Sequence, residues 1–292
     1  MLIIKLITFS LDGKSRPGII CKNNTVFDLS TLGFCDMNSF IIKTDGTIPD
    51  EIKELSKREA PISADSVKLE APIPEPRQDV ICLGVNYAEH AAESARFKKE
   101  TYSAEASYPV YFSKRVNRAP AHGETLPDYS YADSQIDYEA ELAVIIGKDA
   151  RNVKADEVED FILGYTIMND VSARSHQENY NQWYFGKSFD SFAPMGPWIV
   201  TKDEIEFEPA LDIKSYVNGE MRQSSNTSKL IFGIRHIITE LSSVMTLKAG
   251  TIISTGTPSG VGLGFNPPKF LKSGDTVECV IEKIGTLRTV IG

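Results

Sequence analysis

Glu139 and Glu141, in Asp137-Tyr138-Glu139-Ala140-Glu141-Leu142-Ala143-Val144-Ile145-Ile146-Gly147, carry charge where an apolar strand ordinarily has none, as does Asp170, which closes Gly164-Tyr165-Thr166-Ile167-Met168-Asn169-Asp170. A strand turns successive side chains to opposite faces, so Glu139 and Glu141 project together while Tyr138, Ala140 and Leu142 face away. Neighbouring carboxylates repel, at a cost on the order of several kcal/mol once partly buried, unless one is protonated or a cation lies between them. Three carboxylates with no Cys or His beside them favour a hard ion, Mg2+ or Mn2+ ahead of Zn2+, with water or substrate completing the octahedron. A bare Glu-x-Glu also suits an edge strand with two solvated glutamates. Here the apolar run Leu142-Ala143-Val144-Ile145-Ile146 argues for a buried strand with Glu141 at its mouth.

Other residues have types and spacings that suit catalysis. His90 and Glu93 are three apart in a stretch of helical composition, so Glu93 can orient the imidazole and raise its basicity as in a general-base pair; the same spacing also serves an exposed polar pair. Arg174 and Gln177 follow Asp170 on an expected helix and return to one face near the acids. Lys187, in Gly186-Lys187-Ser188-Phe189-Asp190, lies where a loop could carry it to the same place. Single surface charges would look no different. The glycine-rich segment Ser254-Thr255-Gly256-Thr257-Pro258-Ser259-Gly260-Val261-Gly262-Leu263-Gly264 lacks the ending of a phosphate loop and the spacing of a dinucleotide fingerprint, which excludes nucleotide binding. Its amides and Thr hydroxyls can still hold a carboxylate, or it can be a tight turn that needs positive φ.

The elements that would position these groups are mostly short strands. Residues 1–29 alternate as a hairpin and its continuation, turning at Asp12-Gly13, and a short helix is expected over Ile52 to Arg58. The prolines of Ala71-Pro72-Ile73-Pro74-Glu75-Pro76-Arg77 enforce an extended path, placing a domain boundary there: a small N-terminal α+β domain over 1–75 and a catalytic domain over 76–292. Strands are then expected at Val80–Gly84, Tyr108–Phe112, Glu141–Ile146, Leu163–Met168, Trp198–Val200, Leu211–Val217, Glu220–Gln223, Thr251–Ser254, Thr276–Ile281 and Leu287–Ile291, with Asn218-Gly219 as a hairpin turn. Ile231 to Met245 carries the clearest helical stripe, with Ser228 as its cap. The polar segment from about Ala88 to Ser107 has little to bury and is expected to be a lid. The fold class is α+β, rich in β.

Composition narrows the function. A formal charge of -9 without a Lys/Arg cluster argues against a nucleic-acid partner. The four cysteines, Cys21, Cys35, Cys82 and Cys279, form no metal or redox motif and fit a reduced, cytoplasmic protein. The N-terminal apolar stretch is too short for a signal peptide and no later run reaches membrane-spanning length.

Taken together, Leu83-Gly84-Val85-Asn86-Tyr87-Ala88-Glu89-His90, Asp137-Tyr138-Glu139-Ala140-Glu141-Leu142, Asn169-Asp170-Val171-Ser172-Ala173-Arg174, Gly186-Lys187-Ser188-Phe189-Asp190, Val217-Asn218-Gly219-Glu220 and Ser254-Thr255-Gly256-Thr257-Pro258 resemble the fumarylacetoacetate hydrolase superfamily, from about Val80 to the C-terminus. The resemblance implies a twisted β-roll catalytic fold and a homodimer. It implies that Glu139, Glu141 and Asp170 bind Mg2+ or Mn2+, that His90 and Glu93 form a dyad on a lid, and that Arg174, Gln177, Lys187 and Thr257 contact a small 2-oxo acid substrate or its enolate. The reaction it favours is hydrolysis of a C–C bond in an acylpyruvate-type 2,4-dioxo acid by His90-activated water, with Lys187 stabilising the enolate. Oxaloacetate decarboxylation, dienoate isomerisation and a non-catalytic carboxylate-binding role are the alternatives. One departure stands out: relatives often carry an acid directly after the arginine, whereas Ser175-His176 follow Arg174.

Overall fold

Asp12 and Gly13 both take positive φ, 52° and 71°, and fold Lys5–Leu11 onto Lys14–Cys21 in the expected antiparallel hairpin, which Thr25–Asp28 extends. The computed structural model describes residues 3–98 and 108–292. Among these residues an eleven-stranded sheet runs from Ile62–Ser63 through the N-terminal hairpin to Met195–Thr201, Ile162–Asn169, Ala140–Ile146, Ile252–Ser254, Val80–Gly84 and Val110–Lys114, with Lys68–Glu70 paired to Lys5–Leu11. The N-terminal strands enter this sheet by main-chain pairing of Lys5 with Val200 and Leu6 with Ile199. The proline-rich segment at the expected boundary therefore links two parts of one sheet.

A five-stranded sheet packs across it, in the order Glu220–Asn226, Asp212–Val217, Thr276–Ile281, Gly285–Ile291, Thr125–Leu126. Asn218 and Gly219 make its hairpin turn with φ of 51° and 79°, the conformation their side chains tolerate best. Ile213, Val277, Cys279 and Leu287 of this sheet meet Leu142, Val144, Tyr165 and Ile167 of the large one in a single core. On the other face, the helix Met37–Thr44, capped by a reciprocal Asp36/Ser39 box, packs Phe40 and Ile41 against Leu163 and Ile199. No signal in the sequence reading had marked this helix.

The best-striped helix runs Ile234–Val244 and buries Ile234, Ile237, Ile238 and Leu241 as its periodicity requires. It starts three residues later than expected and Ser228 does not cap it. The cause is Asn86, whose Oδ1 accepts from Phe232 N at 2.8 Å and whose Nδ2 donates to Phe232 O at 3.0 Å and Thr255 O at 2.8 Å, holding Phe232 outside the helix. Ser228 sits in a separate turn whose Asn226 side chain accepts from its amide. The short helix of the N-terminal part runs Asp50–Ser56, two residues ahead of the expected span. Among the described residues no helix is long and apolar enough to cross a membrane, and the four cysteines are free.

Candidate active site

The strand Ala140–Ile146 pairs antiparallel with Ile162–Asn169, setting Glu141 opposite Met168, so the acid that follows one strand lies beside those that open the other. Glu139 precedes its strand by one residue, and two main-chain ties fix it there: its amide donates to Asn169 Oδ1 at 3.0 Å and its carbonyl accepts from Asp170 N at 2.9 Å. Glu139, Glu141 and Asp170 are all buried, and one carboxylate oxygen of each lies within 4.8 Å of the others. The structure thus brings the two glutamates and Asp170 into one group.

Three buried cations hold this cluster together. Lys187 Nζ bridges Glu139 Oε2 at 2.9 Å and Asp170 Oδ2 at 2.7 Å. Arg174 reaches Glu139 Oε1 at 2.7 Å and forks onto Asp137 Oδ2 at 2.9 Å. Lys114 Nζ donates to Asp170 Oδ1 at 2.5 Å and to Val171 O at 2.7 Å. Burial alone would raise the Glu139 carboxyl, but Lys187 and Arg174 outweigh it and push it down to about 2. Lys187 is held above the usual ammonium range despite burial because it faces two carboxylates; Lys114, with one carboxylate and Lys187 beside it, is lowered by burial.

Glu141 differs from its neighbours. It accepts from Ser254 Oγ at 2.5 Å and Gly256 N at 3.0 Å, and burial together with Asp170 and Glu139 pushes its carboxyl well above the ordinary value. Four carboxylates, Asp137, Glu139, Glu141 and Asp170, thus face three cations, and the one without a direct cationic contact is Glu141. Each ligand oxygen has two lone pairs, so those already bonded to a lysine or arginine can still accept a metal. An all-oxygen donor set short of positive charge fits a hard divalent ion, and Glu139, Glu141 and Asp170 are the residues that could hold it.

The helix Ala88–Lys98 carries His90 and Glu93, with Nδ1 and Oε2 3.1 Å apart. Glu93 also accepts from Gly260 N, so it acts as an acceptor; the imidazole then donates from Nδ1 and keeps Nε2 for chemistry. Together with Glu139, Glu141, Arg174, Gln177, Lys187 and Thr257, the pair lines a cavity of about 40 Å³ walled by Phe112 and Trp183. Asp170 stands behind that lining. Residues 99–107 of the expected lid lie outside the described residues.

The cavity also shows what each expected substrate-contacting side chain offers. Arg174 donates from Nε to Asp137 Oδ2 at 2.9 Å and from Nη1 to Gln177 Oε1 at 2.8 Å and ion-pairs with Glu139, so Gln177 is held through its oxygen and keeps its Nε2 donors. Thr257 donates its hydroxyl to Ala140 O at 2.9 Å and accepts from Gln223 Nε2 at 2.7 Å. Gly186 lets the Lys187 helix lie on the Arg174 helix: a Cβ there would sit 2.5 Å from Gln177 N.

The sequence reading missed Lys114, Asp137 and Asp133. Asp137 had a local signal, being part of the quoted Asp137-to-Leu142 motif; it accepts from Gly262 N at 2.7 Å and Leu263 N at 3.0 Å as well as from Arg174. The glycine-rich loop thus gives its amides to the protein's own carboxylates, Glu141, Glu93 and Asp137. Asp133 bonds both residues that follow Arg174. It accepts from Ser175 Oγ at 2.8 Å and His176 N at 3.1 Å and pairs with His176 Nδ1 at 2.9 Å, so an acid from another segment occupies the region beside Arg174.

An α+β fold of two crossed sheets, with acids, buried lysines and a His–Glu pair around one cavity, defines a class of enzyme fold. Residues 79–292 match the family model described as fumarylacetoacetate (FAA) hydrolase C-terminal, and the chain belongs to this family. It is 45% identical over 230 residues to oxaloacetate tautomerase YisK of Bacillus subtilis, covering 79% of this chain and 75% of that protein. It is 37% identical over 258 residues to the mitochondrial oxaloacetate tautomerase fahd2 of Xenopus laevis, covering 87% of this chain and 77% of that one. Among solved structures, the fumarylacetoacetate hydrolase of Exiguobacterium antarcticum superposes with a TM-score of 0.84 at 34% identity over 99% of both chains.

Proposed function

We propose that this protein is a Mg2+- or Mn2+-dependent oxaloacetate tautomerase that interconverts the enol and keto forms of a short 2-oxo dicarboxylate. The observation that carries this reading is that His90 and Glu93 line one small cavity with Glu139 and Glu141, the two glutamates grouped with Asp170. Tautomerisation needs a proton carrier beside a carbonyl-activating site and nothing more. Two relatives named as oxaloacetate tautomerases suggest the substrate.

A divalent ion on the three acids would chelate the 2-oxo carboxylate and polarise its carbonyl. In the enolising direction, His90 Nε2 takes a proton from C3. The C3–H pair becomes the C2–C3 double bond, and the carbonyl π pair moves to O2, which takes a proton from solvent while the imidazolium releases its own to solvent. Two of the three Lys187 donors go to Glu139 and Asp170, and the third serves the charge developing on O2. Glu93 holds the imidazole with Nε2 toward the cavity and stabilises the imidazolium as it forms. Gln177 Nε2 binds the distal carboxylate.

Hydrolysis of an acylpyruvate is the second reading, supported by the likeness to a fumarylacetoacetate hydrolase: the same Nε2 would deprotonate water instead of C3. The deciding experiment follows loss of enol-oxaloacetate absorbance and cleavage of several acylpyruvates, with EDTA and with Mg2+ or Mn2+, in wild type and His90→Ala. Metal-dependent tautomerisation that falls about 10²–10⁴-fold in His90→Ala is expected. Tautomerisation no faster than buffer, with efficient acylpyruvate cleavage, makes hydrolysis the function.

A further inference from the structure

Glu93 is held from two sides. Its partner in chemistry is His90, and its anchor is the glycine-rich loop, where Gly260 N donates to Oε1 at 3.0 Å and to Oε2 at 3.3 Å. On that same loop, Gly264 closes the turn Gly262–Gly264, its amide donating to Val261 O at 2.9 Å. A Cβ on Gly264 would stand 1.9 Å from Glu93 Oε1, 2.1 Å from Cδ and 2.7 Å from Cγ. The carboxylate occupies the space a side chain at 264 would need.

We propose that Gly264 is a positioning residue for the proton-carrying pair, its missing side chain forming the seat that Glu93 occupies beside His90. This rests on the reading of His90–Glu93 as that pair. Gly264 is exposed and its φ is not positive, so any L-residue can adopt its backbone without core strain. The atoms a methyl group would strike belong to the far end of a flexible glutamate, which can swing away. The cost of a side chain at 264 therefore falls on the dyad and spares the fold. Gly260 is different: its φ is 100° and a Cβ there would meet Arg222 O at 2.0 Å, so substitution would disrupt the loop itself.

The test is a double-mutant cycle with the metal-loaded enzyme: wild type, Gly264→Ala, Glu93→Ala and the double variant, each assayed for kcat and KM on the substrate wild type turns over best, and each followed by hydrogen exchange at the amides of residues 91–94. Gly264→Ala is expected to lower kcat at least about tenfold with KM within about threefold, and to change kcat less than about twofold once Glu93 is already Ala. Exchange at 91–94 should rise in Gly264→Ala as it does in Glu93→Ala, with no further rise in the double variant. Equal losses in both backgrounds would mean a general structural role and overturn the proposal, as would wild-type kcat and exchange in Gly264→Ala. If Glu93→Ala keeps full activity, the dyad reading fails instead, and the exchange data alone decide whether Gly264 seats Glu93.

Discussion

Replacing Lys114 by Met tests the charge balance of the site directly. Met matches the lysine stem in length and apolar character, so the cavity left behind is small and the principal loss is the ammonium. That ammonium is fully buried and bonds Asp170 Oδ1 and Val171 O. Removing one partner of a buried pair costs about 3–5 kcal/mol; here Asp170 keeps only Lys187 as a counter-charge and Val171 O loses its donor. At about 2.1 cal/mol/K per residue, a chain of 292 residues has an unfolding entropy of about 0.6 kcal/mol/K. The variant should therefore melt about 5–8 °C below wild type in EDTA, measured by calorimetry or circular dichroism. If Asp170 ligates a divalent ion, saturating Mn2+ supplies much of the missing charge, and the deficit should shrink to about half or less. A variant that melts within about 2 °C of wild type in EDTA would show that Lys114 does not balance Asp170; a deficit unchanged by Mn2+ would remove Asp170 from the metal set.

The other predictions concern the site acids, Asp133 and Asn86. Glu141→Gln and Asp170→Asn should each abolish Mg2+ or Mn2+ binding in titration calorimetry, and tight binding by either variant would contradict the ligand set. Burial pushes the Asp133 carboxyl up, but the His176, Gln135 and Ser175 hydrogen bonds outweigh it and hold it below its ordinary value of 3.8. It thus contributes stability above that value which is lost as pH falls through the lowered folded pKa, and Asp133→Asn should flatten the acid limb of the stability curve below about pH 4 relative to wild type. Asn86→Ala strands Phe232 N, Phe232 O and Thr255 O and should cost about 2–4 kcal/mol, a melting temperature about 3–7 °C lower.

Much of the site could be read from the chain because its signals are local. The two-residue period that brings Glu139 and Glu141 together and the three-residue period that joins His90 to Glu93 are properties of a strand and a helix, independent of what surrounds them. Lys114 had no such signal. Its meeting with Asp170, 56 residues away, depends on the antiparallel pairing of Val110–Lys114 with Val80–Gly84 and on the parallel docking of that strand against Ile252–Ser254. The expected strand also stopped at Phe112, two residues short of the lysine. Asp133 reads as an ordinary loop acid until the helix Arg174–Asn179 is folded against it. The late start of the Ile234–Val244 helix was equally hidden, since a side chain 146 residues upstream sets it.

The junction between Lys5–Leu11 and Met195–Thr201 is made by peptide groups, through the pairs Lys5/Val200 and Leu6/Ile199 and the bond from Thr201 N to Ile4 O at 3.3 Å. Peptide groups are the same in every residue but proline, so the pairing itself asks only that the flanking side chains, among them the buried Leu6 and Ile199, stay apolar. The family model takes up the chain at residue 79, beyond the hairpin that supplies the seam. A leading segment of quite different sequence could be spliced onto the same strand and still complete the sheet, provided it offered one extended stretch in register. A chain cut before residue 76 would have Met195–Thr201 as an uncovered border, with free donors and acceptors ready to recruit the border of another molecule. The hairpin is thus a hem that covers the Met195–Thr201 border of the large sheet.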